Sequence, residues 1–285
     1  MNLLRARAYV GHLVKAYLTK YPDSSMRHTK STFRSFCEHF NHFPLSKLTK
    51  EPLGQWFDHL QKTHNYQEKT LSKIKCQHNQ FFKWLMDEDL IPANPMDRFK
   101  FRQNLPPTRP RVILSLEEIN TLAKELEGYG VPHLHTMIYI IIHTGCRRSE
   151  ALKLTWEDVD SANDLLIFRG TKNGTDRQIR LSSLLKGHLM GIEKKSGFVV
   201  ARDDGKSPPK NGLNRHMKEF KAQSSLKKDW KPHDLRHSFA FNFLRSGREM
   251  YQLKAILGHK TIGMTVDLYG NLTAGDVENP SPFEC

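Results

Sequence analysis

Cysteine is scarce in this chain: four residues in 285, Cys37, Cys76, Cys146 and Cys285, with no CxxC and no paired spacing. That excludes a disulfide scaffold and a cysteine-built zinc site. Long apolar runs are missing as well. The longest, Met137–Ile142, has six residues, against the roughly 20 that a membrane-spanning helix needs. The N-terminal stretch MNLLRARAYVGHLVKAYLTKY carries Arg5 and Arg7 but no apolar core and no small-residue cleavage site, so it does not read as a secretory leader. There is no internal repeat, no low-complexity tract, no P-loop pattern and no HExxH. The expected setting is intracellular and reducing, in the cytoplasm and away from membranes.

Acidic charge is also in short supply. Asp and Glu number 30 against 44 Lys and Arg, a net charge of +14. A surplus of that size biases a protein toward polyanions, nucleic acid above all. Residues 1–105 hold 17 basic and 9 acidic side chains, or +8, which leaves +6 for the remainder. Two charged surfaces are expected, not one basic tail.

At roughly 150 residues per domain the length accommodates two domains. The first hundred residues read as four helices. Val10, Leu13, Val14, Tyr17 and Leu18 fall at helical spacing, as do Phe33, Phe36, Cys37 and Phe40, then a shorter stretch from Leu53 to Leu60, then Leu71, Ile74, Phe81, Phe82 and Leu85. Breaks fall at Pro22-Asp23-Ser24, Phe43-Pro44-Leu45 and His64-Asn65. The aromatic side chains are assigned to core packing. Pro106-Pro107-Thr108-Arg109-Pro110-Arg111 reads as an extended connector. The expected division is a helical domain over 1–104, a linker over 105–111, a second domain over 112–270 and a tail over 271–285.

The second domain opens on Ser115-Leu116-Glu117-Glu118, a capping box for a helix to about Glu127. Leu134–His143 is apolar on most sides and is expected to be a buried helix. Leu165–Phe168 and Gln178–Leu181 flank a segment containing Asn173-Gly174, which favours a hairpin. Helices are expected again at Leu184–Lys194, Gly212–Gln223, Asp234–Ser246, Met250–Leu257 and about Gly263–Tyr269. The fold class is therefore mainly α with a small antiparallel β hairpin.

Four local patterns carry chemistry. In Thr144-Gly145-Cys146-Arg147-Arg148-Ser149-Glu150, Gly145 ends one helix and Glu150 lies three residues after Arg147, on the same helical face, where it can hold the guanidinium. Lys172 sits beside the Asn-Gly turn. In His233-Asp234-Leu235-Arg236-His237, an acid–base group and a phosphate-binding fork are three residues apart. Leu257-Gly258-His259 is followed by Tyr269. Each has an ordinary structural reading: an ion pair, a solvated lysine, a capping histidine. Their order is another matter. Arg, hairpin Lys, HxxR, LGH and a late Tyr resemble the tyrosine recombinase, or phage integrase, family over essentially the whole chain.

The resemblance implies a helical core-binding (SAM-like) DNA-binding domain followed by a mixed α+β catalytic domain. It implies that Arg147 and Arg236 clamp the scissile phosphate, with Glu150 supporting the first. Lys172 matches the hairpin lysine, His233 and His259 the two histidines beside the phosphate, and Tyr269 the nucleophile. The chemistry suits those residue types. Attack of a phenol on a phosphodiester builds charge on the non-bridging oxygens, which two guanidiniums stabilise without a metal. The phenol, of ordinary pKa near 10, needs a proton acceptor such as His233, and the 5′ oxygen needs a proton, which Lys172 can deliver. The 3′-phosphotyrosine keeps the energy of the bond, so no cofactor is implied. Tyr269 lies ten residues after His259, one more than the commonest family spacing. A locally widened helical turn, or a looser segment that lets the tyrosine swing toward the phosphate, is expected to absorb the extra residue.

By the same resemblance the partners are double-stranded DNA at specific sites, clamped between the two basic lobes, and further copies of this chain, four on two sites. Nucleoid association would follow. The tail is too short to form its own core, so it is expected either to dock on a neighbour or to be a disordered end. With no domain ahead of the helical region, a simple recombinase of the Xer, transposon or small-integrase kind is expected. Two alternatives share the fold: a DNA-binding relative without catalysis, and a type IB topoisomerase-like enzyme that relaxes DNA.

Overall fold

A computed structural model describes residues 9–20, 27–101, 111–170, 176–193 and 196–269, and of 27–32 and 267–269 it describes the backbone alone. The chain divides into two compact units, Met1–Thr108 and Arg109–Cys285. Within the described residues no helix is long and apolar enough to cross a membrane.

In the first unit, the four apolar stripes form α1 (Val10–Lys20), α2 (Arg27–Phe40), α3 (Lys50–His64) and α4 (Glu68–Asp87). Asn65, in the left-handed region at φ 50°, closes α3. The aromatic side chains assigned to packing do pack: Phe33, Phe36, Phe40, Trp56, Phe81 and Phe82 are fully buried together. At their centre lies His78. Its ring stands 4.4 Å from Phe33, 4.7 Å from Phe36 and 5.1 Å from Trp56, centroid to centroid. Nδ1 donates to the Ile74 carbonyl at 2.8 Å, and burial pushes its pKa down to about 4.

The second unit is built around α6 (Pro132–Thr144), whose Leu134, Met137, Ile138, Ile140 and Ile141 are completely buried. It packs against α5 (Leu116–Gly128), α8 (Ser183–Met190), α9 (Lys210–Gln223) and α10 (Pro232–Arg245). Both arms of the capping box at the start of α5 form: Glu118 N donates to Ser115 Oγ at 3.2 Å, and Ser115 N to Glu118 Oε2 at 2.9 Å. The strand segments pair as β2 (Leu165–Phe168) and β3 (Arg177–Arg180), antiparallel, with Leu166 opposite Ile179. A third strand, β1 (Val159–Asp160), pairs with β2; two residues are too few to show a period. The α8 helix stops at Met190 before Gly191, short of the expected Lys194, since glycine is a poor helix former. A short α7 (Arg148–Ala151) and two further helices, α11 (Met250–Leu257) and α12 (Gly263–Tyr269), complete the unit. The architecture is mainly α with a small antiparallel sheet.

The connector Pro106–Pro110, the Asn173-Gly174 turn with Lys172, and the tail from 271 lie outside the described residues.

Candidate active site

Two left-handed glycines shape the site. Gly145, at φ 61°, ends α6 and delivers the chain to Arg147. A Cβ there would lie 2.4 Å from Phe239, so neither its conformation nor the space admits a side chain. Gly258, at φ 64°, ends α11 and delivers His259.

Arg147 is not on a helical face beside Glu150, as its i,i+3 spacing predicts. It is the extended residue just before α7, with φ −73° and ψ 147°. Glu150 reaches back to it instead: Oε2 accepts the Arg147 backbone N–H at 2.8 Å, and Oε1 accepts from Nη1 at 2.8 Å. The expected pair forms, but as a helix cap. The Arg147 side chain remains 25% exposed, at the edge of a cleft of about 340 Å³ that Ser149, Lys153, Phe168 and Arg169 also line.

Arg236 is the opposite case, only 2% exposed. It is the fifth residue of α10, a helix started by Pro232 and capped by Asp234, whose Oδ2 accepts from Lys231 N at 2.8 Å. Its Nη1 donates to the Gly145 carbonyl at 2.8 Å, and its Nη2 to the Leu257 carbonyl at 2.9 Å and to His259 Nε2 at 3.0 Å. The second arginine thereby grips the ends of the two helices that deliver Arg147 and His259. Arginine has no acceptor, so His259 Nε2 must accept and its proton sits on Nδ1. That Nδ1–H donates to Thr265 Oγ1 at 2.8 Å, and Thr265, fully buried, lies on α12. Burial, then the guanidiniums of Arg236 and Arg147, push His259 down to about 4.

His233, one turn before Arg236, stays solvent-exposed. Partial desolvation, then Arg236 and Arg147, lower its pKa, so it is neutral at pH 7 and able to take a proton. His237 packs edge-on against it at 4.6 Å and is pushed down to about 4. Cys146, next to Arg147 in the chain, is buried, its thiol pushed up to about 12, which leaves it inert. Among the described residues no cluster of His, Cys, Asp or Glu is disposed to hold a metal.

Of the predicted residues, the structure brings Arg147, Glu150, His233, Arg236 and His259 together. Lys172 lies outside the described residues. For Tyr269 only the backbone is described, and α12 is regular α-helix through it. Between Gly263 and Tyr269 the helix shows no widened turn, whereas residues 260–262, between His259 and the start of α12, are non-helical, as the looser-segment alternative expects. Two participants escaped the sequence reading. Thr265 had a signal, its place between LGH and the tyrosine. Arg177, first residue of β3, had none: its Nη2 donates to Glu150 Oε2 at 2.8 Å, making it a second guanidinium on that carboxylate. Burial disfavours the charge on Glu150, but the bonds from Arg177 and Arg147 outweigh it and hold the carboxyl at about 2.

The chain resembles known proteins in sequence and in fold. The family model described as the phage integrase family matches residues 113–275. Tyrosine recombinase XerC 2 of Ralstonia nicotianae is 26% identical over 95% of this chain and 83% of its own length. Tyrosine recombinase XerA of Saccharolobus solfataricus is 25% identical over 86% and 81%. Among solved structures, the Tn1549 transposon integrase in complex with circular intermediate DNA superposes with a TM-score of 0.73 at 21% identity, covering 94% of this chain and 97% of that one. A lambda integrase tetramer bound to a Holliday junction gives 0.75 at 15% identity, covering 93% and 79%. With the family model spanning more than half its length, the chain belongs to the phage integrase family of tyrosine recombinases.

Proposed function

We propose that this chain recombines DNA at specific sites through a covalent 3′-phosphotyrosine, with Arg147 and Arg236 on the scissile phosphate and Tyr269 as nucleophile. The observation that carries the reading is the convergence of Arg147, His233, Arg236 and His259 from separate parts of the chain, with two guanidiniums acting on two neutral imidazoles.

The phenol oxygen of Tyr269 attacks phosphorus, and its proton passes to His233. The bond from phosphorus to the 5′ oxygen breaks, and Lys172 gives that oxygen a proton. Charge on the non-bridging oxygens is met by the guanidinium edges, held in place beforehand by Glu150 and by the main-chain carbonyls of Gly145 and Leu257. Fixed donors in a desolvated site do not reorganise during the reaction, which is why burying Arg236 strengthens its effect. His259 orients Arg236 and, through Thr265, joins it to the helix that ends at Tyr269. The 5′ hydroxyl of a partner strand reverses the same steps, so the bond is remade without a nucleotide.

The charge of +14 supports binding of duplex DNA by both units. The division into a core-binding unit over 1–104, a linker over 105–111 and a catalytic unit over 112–270 belongs to this reading. Exchange between two sites calls for four protomers, the assembly named for lambda integrase on a Holliday junction, and the work is done on the nucleoid.

Covalent capture from a library of nicked duplexes with a randomised half-site tests the reading. A nick lets the 5′ hydroxyl fragment leave, so a detergent-resistant adduct accumulates on the peptide containing Asp267-Leu268-Tyr269-Gly270, and Tyr269→Phe binds DNA without forming it. An adduct on Tyr251, or one that survives in Tyr269→Phe, refutes the assignment of the nucleophile. A library that yields no adduct leaves a DNA-binding relative.

A further inference from the structure

We propose that Arg177 is a positioning residue for cleavage: it neutralises Glu150, so that Glu150 can aim Arg147 without cancelling the charge that Arg147 offers the phosphate. The inference rests on the reading of Arg147 as one arm of the phosphate clamp.

Counting charges shows the need. Arg147 and Arg236 carry +2 to the phosphate, but the carboxylate that aims Arg147 carries −1, at 2.8 Å from its guanidinium. With no further partner, Glu150 and Arg147 would form a neutral pair, and the clamp would present +1. Arg177 supplies the missing charge at 2.8 Å from the other carboxylate oxygen. Three guanidiniums and one carboxylate sum to +2. Each Glu150 oxygen serves one arginine side chain, so Glu150 is shared between an arginine that faces the cleft and one that does not: the Arg177 side chain is 8% exposed and that of Arg147 25%.

Arg177 is also built into its place more firmly than an ordinary ion-pair partner. Its Nε donates to the Ile256 carbonyl, in the last turn of α11, at 2.8 Å. Its guanidinium lies over the Phe168 ring, 4.5 Å from the centroid. A Cβ on Gly258 would come within 3.2 Å of its Cδ and Nη1, so the glycine before His259 leaves room for this side chain. The Nη1 itself is buried with no hydrogen-bond partner among the described residues. Burying a guanidinium in that state costs the fold, and an apolar side chain would fill the space without the cost. What such a side chain could not supply is the charge on Glu150 and the tie from β3 to α11.

This assigns distinct outcomes to three variants, read on a nicked duplex recovered by covalent capture, with single-turnover adduct formation and DNA binding measured separately. Arg177→Met leaves binding within about threefold and slows adduct formation roughly 100-fold, the scale of losing one preorganised donor. Arg177→Lys keeps the charge and loses the two-point bridge, and is slowed roughly 10-fold. Arg177→Met combined with Glu150→Gln removes the unbalanced carboxylate, so it cleaves at least fivefold faster than Arg177→Met alone. A purely structural arginine predicts the reverse, since a second substitution would add damage. Should Arg177→Met fold poorly, Arg177→Gln, which is uncharged but keeps a hydrogen-bond donor in the pocket, takes its place, and adding Glu150→Gln to it is expected to give the same gain of at least fivefold. Arg177→Met within threefold of the unaltered chain, or a double variant no faster than the single one, overturns the inference while leaving the recombinase reading intact. An unaltered chain that forms no adduct overturns both.

Discussion

The two arginines assigned to one phosphate sit in opposite environments, so the same substitution in each has different consequences. In Arg236→Lys the ammonium is one nitrogen at the end of a flexible chain. It cannot occupy the positions of both Nη1 and Nη2, which serve the carbonyls of Gly145 and Leu257 and the Nε2 of His259. At least one buried acceptor loses its donor, at about 1–3 kcal/mol, and a displaced buried charge adds to that. A loss of about 3 kcal/mol lowers the melting temperature of a unit this size by roughly 6–12 °C. Arg147→Lys can still pair with Glu150 in a partly solvated setting, so its stability cost is below about 1 kcal/mol. Both variants lose a fixed fork at the phosphate, and both slow cleavage by roughly 10²–10³. Differential scanning calorimetry on the two variants, beside adduct formation on a captured nicked duplex, checks the pair. Equal melting temperatures would refute the structural account of Arg236. Near-normal cleavage by either variant would take that arginine out of the clamp.

Lys172→Ala is expected to bind DNA normally and cleave slowly. A substrate with a 5′-bridging sulfur, whose leaving group needs no proton, should restore much of the rate, and failure of that rescue would show that Lys172 is not the acid. His78 makes the first unit sensitive to acid. Its folded pKa of about 4 lies below the unfolded value of about 6.5, so the unfolded chain takes up the proton first as pH falls. Its contribution is therefore complete above about pH 6.5 and is lost down to about pH 4, a difference on the order of 3 kcal/mol. Urea midpoints of the first unit between pH 4 and 7 should show that slope in the unaltered chain, and His78→Leu should flatten it; an unchanged slope would assign the effect elsewhere. Gly145→Ala forces a Cβ toward Phe239 at a positive φ. It is expected to destabilise the second unit by more than about 2 kcal/mol and to lower cleavage with it, and a melting temperature unchanged by this variant would contradict the geometry at the end of α6.

The sequence by itself determined what is local or periodic. The helices of both units could be read because burial imposes a 3.6-residue period on their apolar side chains, and the α5 cap because Ser115 and Glu118 are near neighbours. The order of Arg147, Glu150, the HxxR pair, LGH and Tyr269 was equally legible, since the family's chemistry is written in short motifs. Local spacing even gave the right partner for Arg147, though by the wrong geometry: Glu150 lies three residues away whether it shares a helical face or caps the turn. The strand β1 was invisible because two residues show no period. The remaining decisions belonged to the tertiary structure. Arg236 meets Gly145 at a separation of 91 residues and His259 at 23, and Arg177 meets Glu150 at 27 and Ile256 at 79. Two of those four bonds end on main-chain carbonyls, which carry no residue identity. No pattern of side chains announces that a helix will end there with an acceptor to offer. Whether an arginine faces a cleft, like Arg147, or is buried, like Arg236 and Arg177, depends on how the elements around it close. Folding makes that choice, because a guanidinium leaves water only where carboxylates and carbonyls from distant segments arrive together to receive it.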